Sequence, residues 1–307
     1  MPNVGPRIVS LLPSATEIVC ALGLSEQLVG RSHECDYPAD IDSLPICCDS
    51  KVSREAQSAA LNDEVNNIVT NGLSLFEVFP DELRRLAPDV IITQTQCEVC
   101  SVSEADLKRA LGEWTGTVPT VISLAPRNLE QVWDTVDIVG AALDVPARAE
   151  ELRRTIDARI DAIVARTQFC VPRSIVCLEW LNPLMVAGNW IPELVELALG
   201  TDPFAAPGEH SHWIEWDQLL HADPDIILSM PCGFGLEHTK QETKILSHHD
   251  GWSHLRACRE NRTFVTDGHQ FFNRPGPRLI ESLEILAEII HPDVFKPRFA
   301  GKAWEQM

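Results

Sequence analysis

Several short segments of this chain carry side chains that can hold a metal ion, exchange a proton or stack on a flat ring. Cys97-Glu98-Val99-Cys100 is a CxxC, a spacing at which two thiolates can chelate one soft or borderline ion. A tetrahedral site needs two further ligands, and no second CxxC exists; His33, Cys35 or Cys232 could supply them if the fold gathers them. The motif falls between a predicted strand and a predicted helix, where a helix dipole lowers a thiol pKa, so a redox role is also open. The plainer alternative is a pair of ordinary loop thiols. His33-Glu34-Cys35-Asp36 packs four candidate ligands into four residues, although neighbours in extended chain point to opposite sides, so one ion would use only two or three of them. Its plainer reading is a polar turn before Tyr37-Pro38, with His33 in a local hydrogen bond.

The aromatic candidates are Trp180, Trp190, Phe234 and Phe271, which offer flat apolar surface to a large ring or else pack the core. Gln96, Glu98, Glu179 and His269 accompany them as polar groups, and Arg274 in the Arg274-Pro-Gly-Pro-Arg278 turn is a candidate partner for an anion or amide. In the segment 210–216, Trp213 and Trp216 read as packing a helix start, and His210, His212 and the His248-His249 pair as solvent-facing. No P-loop, nucleophile elbow, HExxH or dinucleotide fingerprint is present.

What must position these groups is written twice. Residues 81–97 read DELRRLAPDVIITQTQC and residues 217–233 read DQLLHADPDIILSMPCG: a short amphipathic helix, Pro-Asp, a buried strand, then a polar loop with a cysteine. The echo predicts two similar α/β lobes whose cysteine-bearing loops sit at equivalent strand ends, where such lobes bind ligands. Strands are also predicted at 7–12, 28–31, 120–123, 174–178 and 263–266, and every candidate residue above except Trp190 and Arg274 follows closely on one of the predicted strands. Residues 41–60 read as loop. Residues 128–166 are the most helical stretch, predicted as one long helix or two abutting ones, and 275–290 as a closing amphipathic helix. The expected organisation is an N-terminal lobe over 1–127, a helical connector over 128–169 and a C-terminal lobe over 170–307, with the ligand cleft between the lobes. A helical connector is stiff.

The 307 residues suffice for two cores, and no long apolar run predicts a membrane span. A net charge of −20 disfavours nucleic acid and anionic membranes as partners. The opening MPNVGPRIVSLLPS lacks a charged region, an apolar stretch and a cleavage site, so the chain is expected to be cytoplasmic, and periplasmic only if trimmed. Ten cysteines are then expected to be reduced thiols, mostly core residues.

RIVSLLPSATEIVCALGLSEQLVG, PDVIITQ, PDIILSM and the helical connector together resemble the iron-siderophore/vitamin B12 periplasmic-binding protein superfamily, over about residues 7–291. HECDYP, CEVC, CLEW, MPCGF and RPGPRL look like its branch labelled cobalamin-binding proteins. The resemblance implies two α/β lobes on a backbone helix, binding without catalysis, and cobalamin, another corrinoid or an iron chelate as ligand. Transport members hand such ligands to an ABC permease through carboxylates on the two lobes, a partner disfavoured here without export. Two alternatives stay open from the residues themselves. One is a metal-thiolate protein holding zinc or another thiophilic metal on Cys35, Cys97, Cys100 and Cys232. The other is a small-molecule enzyme using Cys97 or Cys232 as nucleophile with His33 or His269 as base.

Overall fold

The computed structural model describes residues 5–52, 56–70, 75–94, 104–112 and 117–307. The chain forms two compact units. The first comprises Met1–Ala56, Ala60–Pro126 and Gln131–Arg154; the second comprises Gln57–Ala59, Arg127–Glu130 and Thr155–Met307.

The first unit holds a six-stranded sheet of β1 (Ile8–Ser10), β2 (Leu28–Ser32), β3 (Ile46–Ser50), β4 (Phe76–Val78), β5 (Val90–Gln94) and β6 (Thr120–Leu124). Its order is β4-β3-β2-β1-β5-β6, all pairs parallel except β3 with β4. The order reverses between β1 and β5. Along β5, Val90 and Ile92 join one core layer and Ile91 the other, so the strand opens on three successive apolar residues because both faces are covered. One layer is closed by α1 (Pro13–Ala21), the other by α3 (Pro80–Leu86) and α4 (Glu104–Leu111); α2 (Ser58–Thr70) lies between β3 and β4 in sequence.

Two helices link the units, α5 (Leu129–Ala142) and α6 (Pro146–Thr167). Pro146 fits the first turn of α6, where no amide hydrogen is needed. The two helices pack closely at Gly140, where an added Cβ would stand 2.5 Å from that of Ala149.

The second unit's seven-stranded sheet contains β7 (Arg173–Leu181), β8 (Leu184–Val186), β9 (Gly200–Thr201), β10 (His212–Trp213), β11 (Ile226–Ser229), β12 (Thr263–Thr266) and β13 (Trp304–Gln306). The main path is β10-β8-β7-β11-β12-β13, with β9 beside the start of β7. β7, β11 and β12 run parallel, and β8, β10 and β13 are antiparallel additions. Its helices are α7 (Ile191–Leu197), α8 (Trp216–Ala222), α9 (Leu236–Thr243), α10 (Arg256–Arg259) and α11 (Leu279–Ile290). α11 buries Ile280, Leu283, Ile285, Leu286 and Ile289, more than one stripe, as a helix apolar on most sides must.

The sequence echo has a mechanical meaning. α3 and α8 each end on a left-handed residue at matching positions, Ala87 (φ 43°) and Asp223 (φ 38°). After the Pro-Asp step, Asp89 Oδ2 accepts the Arg7 amide at 2.8 Å, and Asp225 Oδ2 accepts the Ser174 amide at 2.9 Å. In each unit the aspartate therefore ties the start of its own strand to the start of the neighbouring central strand.

Four local expectations are revised. Residues 41–60 are not all loop, because Ile46–Ser50 pairs with β2 and buries Cys47 and Cys48. The Arg274–Arg278 turn precedes α11 instead of opening it, since the helix begins at Leu279. Trp213 lies on the edge strand β10 and is exposed, whereas Trp216 opens α8 and is half-buried. The antiparallel β13 was not anticipated.

Candidate functional site

In the second unit the C-terminal ends of β7, β11 and β12 open on one edge, because the three strands are adjacent and parallel. Their loops are stitched together by backbone. The Met230 amide donates to Leu178 O at 2.8 Å and the Cys232 amide to Glu179 O at 3.3 Å. The His269 amide donates to Phe234 O at 3.1 Å, and Asn273 Nδ2 donates to Met230 O at 3.1 Å. Gly268 makes the approach possible: a Cβ there would stand 2.1 Å from Pro231 O.

This edge brings together most of the aromatic and polar candidates of the second unit. Trp180 lies 5.3 Å from Phe234, ring centre to ring centre, and its Nε1 donates to Ser58 O at 3.2 Å, within the short 57–59 segment of the same unit. Phe234 is only 2% exposed, and one face of its ring is covered by the imidazole of His238, 3.8 Å away and tilted by 8°. Trp190 is also buried, its Nε1 donating to Phe272 O at 2.7 Å. Phe271 meets Phe299 edge-on at 6.3 Å and lies under the Arg278 guanidinium at 5.6 Å. Glu179 Oε2 accepts the Ser211 hydroxyl at 2.8 Å.

Arg274 is buried and places Nη2 2.9 Å from His269 Nε2. A guanidinium can only donate, so His269 Nε2 is the acceptor and its lone pair is already engaged. It therefore offers no base at that atom.

The first unit's corresponding feature is the turn after β2. Arg31 pins it, donating from Nη1 to Cys35 O at 2.8 Å and from Nη2 to Asp42 O at 3.1 Å. His33 Nδ1 lies 3.1 Å from Cys48 O and therefore carries the proton, while Nε2 lies 3.9 Å from Glu34 Oε1 and 3.8 Å from Asp49 Oδ1. Cys35 is buried, and its Sγ accepts the Thr16 hydroxyl at 3.0 Å.

Burial pushes the thiols of Cys47 and Cys48 up to about 12 and that of Cys20 up to about 11, so all three stay protonated at neutral pH. Cys232 is half-buried in the β11 loop. Among the described residues no three His, Cys, Asp or Glu side chains gather as a metal site. Gln96, Cys97, Glu98 and Cys100 lie outside the described residues.

His238 was missed by sequence reasoning. It sits in the polar run LEHTKQET and looks like a surface residue; its four-residue spacing from Phe234 was the available signal. Ser211, which orients Glu179, had no signal at all in the sequence.

Comparison with known proteins bears on what such a chain is. The sequence pattern of the family described as "Periplasmic binding protein" matches residues 8–269. An uncharacterized ABC transporter substrate-binding lipoprotein, YvrC of Bacillus subtilis, is 24% identical over 94% of this chain and 81% of its own length. The vitamin B12-binding protein of Vibrio cholerae is 23% identical over 92% of this chain and 88% of its own. The solved periplasmic heme-binding protein RhuT of Roseiflexus has the same fold, with a TM-score of 0.67 and 21% identity over 94% of this chain and 99% of that one.

These matches overturn the cytoplasmic expectation, since the matching family and the solved heme-binding relative are periplasmic. The error lay in reading location from the first residues.

Proposed function

Since the chain belongs to the periplasmic binding protein family, a family that binds ligands and does not catalyse, we propose that its ligand is a broad, flat metal chelate of the corrinoid or haem type. One observation carries this reading: three adjacent strand ends of the second unit hold a ladder of rings, Trp180, Phe234 and His238, beside the Arg274–His269 pair. Ring systems of that breadth are held by aromatic surface with a few fixed polar groups at the rim, which is the composition of this edge. A vitamin B12-binding relative and a heme-binding relative, each similar over most of the chain, support the same class.

In this reading Glu179, His269 and Arg274 meet polar substituents of the ligand, while Trp180, Trp190, Phe234 and Phe271 form the apolar backing. The partner class consistent with the family is an ABC-type transport system. Isothermal titration with cobalamin, cobinamide and haem tests the reading. Saturable binding of at least one is expected; no saturable binding of any of the three contradicts it.

A further inference from the structure

A buried indole needs an acceptor for its N–H, and Trp180 finds one 122 residues away in the chain: Ser58 O, at 3.2 Å and inside the second unit. Ser58 opens α2 and is itself buried, so its amide is one of those that a helix leaves without an intrahelical acceptor. The buried carboxylate of Glu242 meets that need. Its Oε1 accepts the Ser58 amide at 3.0 Å and the Ser58 hydroxyl at 2.5 Å, and its charge stands at the positive end of α2. Glu242 lies on α9, four residues after His238, so the two side chains share one face of that helix a turn apart. His238 covers the ring of Phe234, which lies 5.3 Å from Trp180, and the Thr239 hydroxyl donates to Phe234 O at 3.4 Å. The contacts close a circuit. Ring contacts join Trp180, Phe234 and His238; α9 leads from His238 to Glu242; hydrogen bonds lead from Glu242 through Ser58 back to Trp180.

We propose that Glu242 is a positioning residue for the ligand site: by holding Ser58 it fixes the rotation of the Trp180 indole, and so sets the ring face that the ladder offers to a flat ligand. This rests on the chelate reading above and goes beyond it by assigning a residue that acts through Ser58 and Trp180. With Glu242 removed, the Ser58 amide and hydroxyl lose their acceptor and the Ser58 carbonyl loses its fixed direction. The indole is then free to turn, and a ligand must spend binding energy on ordering it.

The test is a double-mutant cycle on the whole chain, with haemin and hydroxocobalamin as probes. Glu242→Ala should weaken binding of the probe that the wild type takes up by about tenfold. Trp180→Phe keeps a ring but lacks the indole donor. In that background Glu242→Ala should change affinity by less than about twofold, because the route through Ser58 is already cut. Glu242→Gln keeps an acceptor oxygen for both Ser58 donors and should stay within about threefold of the wild type. A second readout needs no ligand: the near-ultraviolet circular dichroism of Trp180, taken as wild type minus Trp180→Phe, should largely disappear in Glu242→Ala and persist in Glu242→Gln. Should Glu242→Ala fail to fold, Ser58→Ala removes one of the two bonds, leaves the carbonyl in place and should give the same pattern with about a threefold loss. Equal losses of affinity in the wild-type and Trp180→Phe backgrounds, or an unchanged Trp180 dichroism, overturn the inference and leave the chelate reading standing. Wild-type protein that binds neither probe overturns the chelate reading, and this inference with it.

Discussion

The two units use one backbone device and two different chemistries. Asp89 and Asp225 perform the same tie between strand starts, and Ala87 and Asp223 the same left-handed helix exit. At the opposite strand ends the likeness stops. The described part of the first unit presents a turn in which Arg31 holds the backbone and His33 and Cys35 are turned into local hydrogen bonds. The second presents stacked rings and an arginine–histidine pair on three loops that are bonded to each other. A repeat thus preserves what sets strand register, while the loops, which set no register, are left to specialise.

The sharpest way to break this comparison is at two glycines. Gly268→Ala drives a Cβ onto the Pro231 carbonyl at 2.1 Å, a backbone atom with nowhere to go; Gly30→Ala in the first unit meets the side chains of Cys47 at 2.6 Å and Leu86 at 2.7 Å. Gly268→Ala should cost about 3 kcal/mol of stability and Gly30→Ala about 1–2, as overpacking against fixed and movable neighbours does. Denaturant unfolding checks both, and equal costs would mean that the second unit's loops are not rigidly joined.

Acid response should differ within the second unit itself. Burial pushes Asp202 up to about 6 despite hydrogen bonds from the amides of Phe204 and Ala205. Its folded pKa lies above its unfolded value near 3.9, so the native state binds more protons, and stability falls as pH rises from about 4 through about 6. Asp202→Asn keeps an acceptor for the two amides and should be more stable than wild type at pH 7.5 by about 2 kcal/mol, with no gain near pH 4.

Asp225 behaves in the opposite sense. Burial alone would raise it, but the hydrogen bonds from Ser174 and Arg256 outweigh that and hold it below its ordinary value. Its contribution is present above the unfolded pKa and is lost as pH falls below it. Melting curves from about pH 2.5 to about pH 8 separate the two, with the Asp225 contribution lost below about pH 4 and the Asp202 penalty growing between about pH 4 and about pH 6; a wild-type and Asp202→Asn difference independent of pH would refute the assignment.

The smallest effect sharpens the repeat itself. Asp89→Ala removes the acceptor for the Arg7 amide, whereas Asp225→Ala removes acceptors for the Ser174 amide and hydroxyl and for Arg256. Losses of about 1 and about 2 kcal/mol are expected, scaling with the hydrogen bonds broken. A larger loss at Asp89 would show that the first unit leans harder on the shared tie.

Much of this was legible in the sequence because it follows from pattern. Strands buried on both faces read as apolar runs, and the Pro-Asp echo marks two lobes in the sequence itself. β3 was hidden because Pro45 precedes it and Asp49 and Ser50 end it, giving it the look of a loop. Arg274–Arg278 was mistaken for a helix start because prolines favour both settings. At the site, the aromatic candidates could be named but their mutual stacking could not, since Phe234 and Trp180 lie far apart in sequence. His238 stayed hidden because its place comes from a ring stack on Phe234 and not from any apolar pattern.

The central claim, that the second unit's aromatic ladder receives the chelate, is tested most directly by tryptophan fluorescence during titration with hydroxocobalamin and haemin. Wild-type emission should be quenched saturably by at least one of them. Trp180→Phe should lose a large share of that quenching, while Trp133→Phe, changed in the core of the first unit, should keep it. Undiminished quenching in Trp180→Phe, or no saturable quenching of the wild type by either compound, would contradict the account.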